Sequence, residues 1–220
     1  MTDRKQALVH VVISIAGVFI ILYGVILFRQ HVLMTLMLET RMVLMILSQW
    51  IIFLVPGILM WRNREKFTDL GFRSNNMFRQ IVTGIVLALI MSIVLTVIPI
   101  LLGFEEMVSS TQYTKLWQFL YEFGYTIFGV ALVEELIFRG YIFRKLLQMR
   151  DNKVFAILVS SGLFGVFHIF NGNLIQVLVT TIIGIIYCVL REKIPSCTTL
   201  SLIVLHGVYD ALITVWVFIL

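Results

Sequence analysis

Six side chains that can carry charge or move protons lie in sequence apolar enough to sit within a membrane. Glu134, Glu135 and Arg139 share one stretch, His168 lies in a second, and His206 and Asp210 in a third. An ionised side chain at mid-bilayer costs about 2.5–3.5 kcal/mol on insertion scales, so each is a functional candidate with a partner to be named. Helical spacing names those partners. Glu135 and Arg139 are four apart and face the same way as an ion pair. Glu134, turned about 100° from Glu135, points elsewhere. Phe164 and His168 are also four apart, as are His206 and Asp210. A Glu facing a His can hold a water and take its proton. A second His with a hydrogen-bonding neighbour can stabilise an oxyanion. Water, base and oxyanion stabiliser together describe amide hydrolysis. Glu134, His168 and His206 also suit zinc with an open position for water. The residues alone admit both chemistries.

Chain geometry places two of these groups at one depth. Asp151-Asn152 is the best turn between the helices that carry them. Glu134 lies 17 residues before Asp151 and His168 lies 17 after it. In an antiparallel hairpin both then stand at the same level, about 25 Å from the turn at 1.5 Å per residue.

The elements that position them must be membrane helices. Of 220 residues, 60% are hydrophobic and 13% charged, with mean hydropathy +1.01, whereas soluble domains are about half apolar and a quarter charged. Within lipid only helices and closed barrels satisfy the backbone, and the continuous runs of about 20 apolar residues select helices. Seven hydrophobic segments follow: Ala7 to Phe28, Met42 to Trp61 with a kink at Pro56-Gly57, Ile81 to Leu102, Trp117 to Leu147, Val154 to Phe170, Leu174 to Leu190, and Leu200 to Leu220. The first has too long an apolar core for a cleaved signal peptide and reads as a retained anchor. Val32 to Leu38 either extends the second segment or lies at the interface. A polar link runs from Gly103 to Lys115, and Asn171-Gly172 marks a turn. The expected fold is an all-α polytopic membrane protein of about seven transmembrane helices, eight as the upper count. It forms a single domain over 1–220, with N-terminal helices in 1–102 and a core of the last four helices in 117–220.

The net charge of +5 does not point to nucleic acid, because the basic residues concentrate in short loops. Thirteen fall at the N-terminus and in loops 62–79, 144–153 and 191–193. Arg29, Arg41 and Lys115 fall on the other side, and Arg139 lies within a span. The positive-inside rule then puts the N-terminus in the cytoplasm and the C-terminus outside. Tyr113, Trp117 and Trp216 fall near the outer interface. Cys188 and Cys197 show neither metal spacing nor a disulfide framework.

Three motifs carry a family resemblance. EELIFRG at Glu134 to Gly140, FGVFH at Phe164 to His168 and HGVYD at His206 to Asp210 resemble the EExxxR, FxxxH and HxxxN/D motifs of the CAAX protease and bacteriocin-processing family, also called CPBP or ABI proteins. The resemblance covers about Trp117 to Leu220, with DLGFR at Asp69 to Arg73 ahead of it. It implies an intramembrane endopeptidase, of glutamate or metal-dependent type. Glu134 and His168 would activate water, while His206 and Asp210 face the oxyanion. Glu135 and Arg139 would be the supporting ion pair. Asp210 departs from the commoner Asn: ionised, it cannot donate to an oxyanion, whereas protonated it could, and it could instead orient His206 or bind metal.

The plainer readings give Glu135–Arg139 a structural role and make Phe164 a packing residue that shapes the cavity. Gly162, Gly165 and Gly184 read as close-packing points between helices. Met34, Met37, Met42 and Met45 read as lipid-facing or core filler, and Glu122 has no assigned role. The function expected is hydrolysis of a peptide bond in a membrane-associated peptide or protein, in a multi-pass protein of a bacterial plasma membrane. CAAX-type proteins, bacteriocin leaders and signalling peptides are the candidate substrates. The alternative is a non-catalytic bacteriocin immunity or scaffolding protein. A proton-coupled transporter would fit intramembrane Glu and His, but the chain shows none of the internal repeats that many transporters have.

Overall fold

The computed structural model describes residues 3–104, 108, 113–171 and 174–220, and among these residues all regular structure is helical. Most of the link from Gly103 to Lys115, and Gly172 of the expected Asn171-Gly172 turn, lie outside the described residues. Eight helices follow one another: α1 Asp3–His31, α2 Leu38–Ile52, α3 Leu54–Arg62, α4 Met77–Leu101, α5 116–149, α6 Lys153–Phe167, α7 Leu174–Lys193 and α8 Thr199–Ile219. Five segments, containing α1, α4, α6, α7 and α8, are long and apolar enough to cross a membrane, and the bent pair α2–α3 makes a sixth. The other expected segment is α5, whose charged residues set it apart.

Irregularities in the helices have local causes. Helices α2 and α3 meet at 47° with the break at Phe53, ahead of the expected Pro56-Gly57. Proline lacks an N–H and its ring crowds the carbonyl four residues earlier, which here belongs to Ile52. The same effect from Pro99 falls on the π-helical turn Ile93–Val97 within α4. Val32 to Leu38 forms a separate 3-10 turn, Leu33–Thr35, before α2 begins. Helix α6 starts where Asn152 accepts a bond from the Phe155 backbone N–H at 2.9 Å, a side-chain cap at the expected turn.

Two apolar cores lie side by side. One gathers α1, α3, α5 and α6 around residues such as Val18, Met60, Phe138 and Phe164. The other joins α4, α7 and α8 through Ala88, Tyr187, Leu202 and Leu205. From Ala131 to Phe143 every residue of α5 except Leu132 is buried. The basic loops gather at one end: Arg144 pairs with Glu65 at 3.3 Å and Asp69 at 3.2 Å, and Lys145 pairs with Glu65. The short bond from the Lys66 N–H, at 2.8 Å, is the main cause holding the Asp69 carboxyl below its usual range, with Arg144 adding to it. Gly71 turns the chain there with φ +92°, a conformation open to glycine, and its carbonyl meets the first N–H of α8. The opposite end carries the aromatic contacts Tyr113–Phe119 and Phe119–Phe218.

Of the glycines expected at close approaches, Gly165 and Gly184 do face neighbouring helices, α7 and α6 respectively. A Cβ added at Gly162 would meet nothing within 4 Å among the described residues. Gly207 is tighter: a Cβ there would stand 2.6 Å from the Cα of Ile127 on α5. Gly207→Ala should therefore cost about 1–3 kcal/mol through overpacking, whereas Gly162→Ala should be tolerated. Thermal unfolding in detergent micelles checks the pair; equal midpoints would refute the contact.

Candidate active site

Helix α5 presents the two acids between two π-helical turns, Tyr125–Ala131 and Leu136–Ile142, leaving Leu132–Glu135 as a single α-turn. Such turns inside α-helices cluster at functional sites. Glu135 accepts from Arg139 Nη1 at 3.0 Å, and both side chains are fully buried. The same oxygen, Oε1, accepts from His206 Nδ1 at 2.9 Å, so α5 and α8 are tied through one carboxylate. On the other side of the His206 ring, Nε2 lies 3.3 Å from Asp210 Oδ2.

Glu134 stands apart from this chain of bonds. Its Oε2 lies 3.9 Å from His168 Nε2 and 3.8 Å from His206 Nε2. These distances exceed direct hydrogen bonds, and the oxygen is buried with no hydrogen-bond donor among the described residues. A bridging oxygen at about 2.8 Å from each group fits those spans. His168 is oriented from behind: Nδ1 lies 2.9 Å from the Phe164 carbonyl, which only accepts, so Nδ1 carries the proton. In the neutral ring Nε2 is then an acceptor aimed at Glu134. All four expected site residues, Glu134, His168, His206 and Asp210, thus stand within one small volume.

Phe164 links the parts. The Arg139 guanidinium lies over its ring at 3.9 Å. The ring meets His168 edge-on at 4.7 Å and His206 at 6.0 Å between centroids. Tyr187 on α7, absent from the residues expected at the site, closes the far side at 5.6 Å from His206 and 5.2 Å from Arg139. Arg191 donates to the Arg139 carbonyl. Gly184 leaves room for the guanidinium, since a Cβ there would stand 3.2 Å from Arg139 Nη2. A glycine one turn from a tyrosine on an apolar helix was the available signal, and it also describes ordinary packing.

The donors partly suit zinc: each imidazole bonds through Nδ1 to a carbonyl or carboxylate and directs Nε2 inward, as metal-binding histidines do. Their spacing does not. Zinc bonds of about 2.0 Å in a tetrahedron set ligands about 3.3 Å apart, closer than the 3.8 and 3.9 Å found here. Among the described residues no group of three or more His, Cys, Asp or Glu is placed to hold a metal ion.

The motif-bearing helices coincide with a match to a known family model, type II CAAX prenyl endopeptidase Rce1-like, over residues 116–212. Residues 116–212 are an Rce1-like segment. The segment runs from the start of α5 into α8 and contains all three motifs that resemble the CAAX protease family. The Rce1-like match implies protease activity in a multi-pass membrane protein. No curated protein and no solved structure matches the chain.

Removing one partner of a buried ion pair typically costs about 3–5 kcal/mol. Arg139→Ala should lose that much stability, and Arg139→Lys should recover only part of it, because an ammonium cannot lie flat on Phe164. Denaturation of the purified variants in micelles measures both; an Arg139→Ala protein as stable as wild type would contradict the assignment.

Proposed function

We propose that the chain is an intramembrane endopeptidase whose water is activated by Glu134 and His168. The supporting observation is the Glu134 Oε2 atom, buried without a protein donor and faced by two imidazole nitrogens. A water between Glu134 and His168 donates one hydrogen bond to the carboxylate and one to His168 Nε2. Glu134 takes a proton as the water oxygen attacks the peptide carbonyl carbon, and the carbonyl becomes an oxyanion. His206 donates to that oxyanion through Nε2 when both ring nitrogens are protonated, with Glu135 holding Nδ1. Before substrate binds, Asp210 Oδ2 accepts from the same Nε2–H, 3.3 Å away, and sets the ring's direction; that hydrogen bond passes to the oxyanion as it forms. Collapse of the tetrahedral intermediate breaks the C–N bond, and the proton held by Glu134 passes to the leaving amine.

The substrate is a membrane-associated peptide or protein: a CAAX-type protein as the Rce1-like match suggests, a bacteriocin leader or a signalling peptide. The protein resides in a bacterial plasma membrane with its N-terminus in the cytoplasm, which the distribution of basic loops supports. Removing a general base typically costs 10²–10⁴-fold, so Glu134→Gln should abolish processing while the protein stays folded, and His168→Ala likewise. Peptide profiles of membranes from cells carrying wild type or Glu134→Gln identify the cleaved species. Identical profiles would favour a non-catalytic immunity or scaffolding role. Chelation with 1,10-phenanthroline should leave turnover of the identified peptide intact. Loss of turnover restored by zinc would instead make Glu134, His168 and His206 metal ligands.

A further inference from the structure

A second polar pocket lies at the basic end of the bundle and shares no residue with the Glu134 site. It holds about 390 Å³ between the first turns of α1, the chain after α3 and the last turns of α5, lined by Gln6, His10, Asn63, Glu65, Lys145 and Gln148. His10 is 8% exposed and Lys145 3%. The acceptors of this pocket are engaged. Glu65 accepts from Lys145 on Oε1 and from Arg144 on Oε2. Gln148 Oε1 accepts from Lys145 at 3.2 Å, and Asn63 Oδ1 accepts from Gln6 Nε2 at 3.2 Å. Donors are left over. An ammonium has three protons, and Lys145 uses two of them. The Gln148 amide nitrogen makes no bond among the described residues, and His10 Nδ1 is buried without a partner.

The charge balance points the same way. Segments 3–10, 62–69 and 144–148 carry seven basic residues against three acidic ones. Spare donors in a positive field suit an anion rich in acceptor oxygens, and the Lys145 ammonium opposes a metal ion. Depth indicates where that anion comes from. The span Arg4–Thr35 has 32 residues, about 48 Å of helix against a hydrocarbon core of about 30 Å. Shared equally, the excess is about 9 Å at each end, which sets Gln6 in the headgroup layer and His10 at its inner border. Trp61, 80% exposed at the end of α3, is the amphipathic ring that this layer favours. From these observations we infer that the pocket binds the phosphate of an anionic phospholipid in the leaflet at the basic end. Lys145 and Gln148 donate to the phosphate oxygens, His10 bounds them on the inner side, and the acyl chains follow α1 along exposed Leu8 and Val12. This holds whether or not the chain cleaves peptides.

Thermal unfolding tests the site, since a ligand that binds only the folded protein raises its midpoint. The full chain in detergent is stripped of lipid until phosphorus analysis finds none. It is then titrated with dioctanoyl phosphatidylglycerol, dioctanoyl phosphatidylcholine or inorganic phosphate. The expected result is a saturable rise with phosphatidylglycerol and little change with the other two at the same concentration. Gln148→Glu puts a negative charge beside the phosphate at an exposed position and should weaken apparent affinity about tenfold or more. Lys145→Met should weaken it as well. Lys193→Gln removes a positive charge from the same end outside the pocket and should bind as wild type does. No rise with phosphatidylglycerol, or an equal rise with phosphatidylcholine or inorganic phosphate, would overturn the inference. So would wild-type binding by Gln148→Glu or by folded Lys145→Met, or equal weakening in Lys193→Gln.

Discussion

A guanidinium with no exposed surface inside a membrane protein must be neutralised where it stands. Arg139 is that group, and Glu135 is its counter-ion. Much of the surrounding structure answers to this pair. Glu135 has its second bond with His206, which sets the position of α8 against α5. The flat face of the guanidinium rests on Phe164, which fixes α6, and its edge needs the space that Gly184 leaves on α7. Four helices are thus registered by one cation, and Glu134 is placed as a consequence.

Glu134 and Glu135 are neighbours that each bury one oxygen without a partner among the described residues, yet they differ in what holds them. Glu135 is bonded on Oε1 to two donors. Glu134 has an oxygen without a donor among the described residues, facing imidazole nitrogens that could each share a water with it. One acid is committed to structure and the other remains available for chemistry. Adjacent positions on a helix diverge by about 100°, enough to give each carboxylate its own surroundings.

The charged members of the site were legible in the sequence because the membrane excludes charge unless something offsets its cost. Glu134, Glu135, Arg139, His168, His206 and Asp210 stood out against apolar runs, and helical spacing paired most of them. The bond from His206 to Glu135 was not legible, since spacing within a helix says nothing of contacts between helices. Tyr187 was hidden for another reason: an aromatic on an apolar helix is ordinary core. Gly162 shows the converse error, a small residue read as a contact where it meets open space. The seven apolar segments were legible as helices, although α5 is not among the candidate spans. Local winding was invisible throughout, as hydropathy records which residues are apolar and not how the backbone turns.

That winding has a consequence for how such a protein can change over time. Helix α5 accommodates extra backbone in the turns on both sides of Leu132–Glu135. Losing one residue from either turn would restore ordinary coiling and favour the helix taken alone. It would also swing everything beyond the deletion by about a quarter turn, parting one end of α5 from partners fixed on three other helices. A change of length along this stretch would therefore be disruptive even where it removes no bonded side chain, because it alters the spacing between the aromatic end and the basic end of α5.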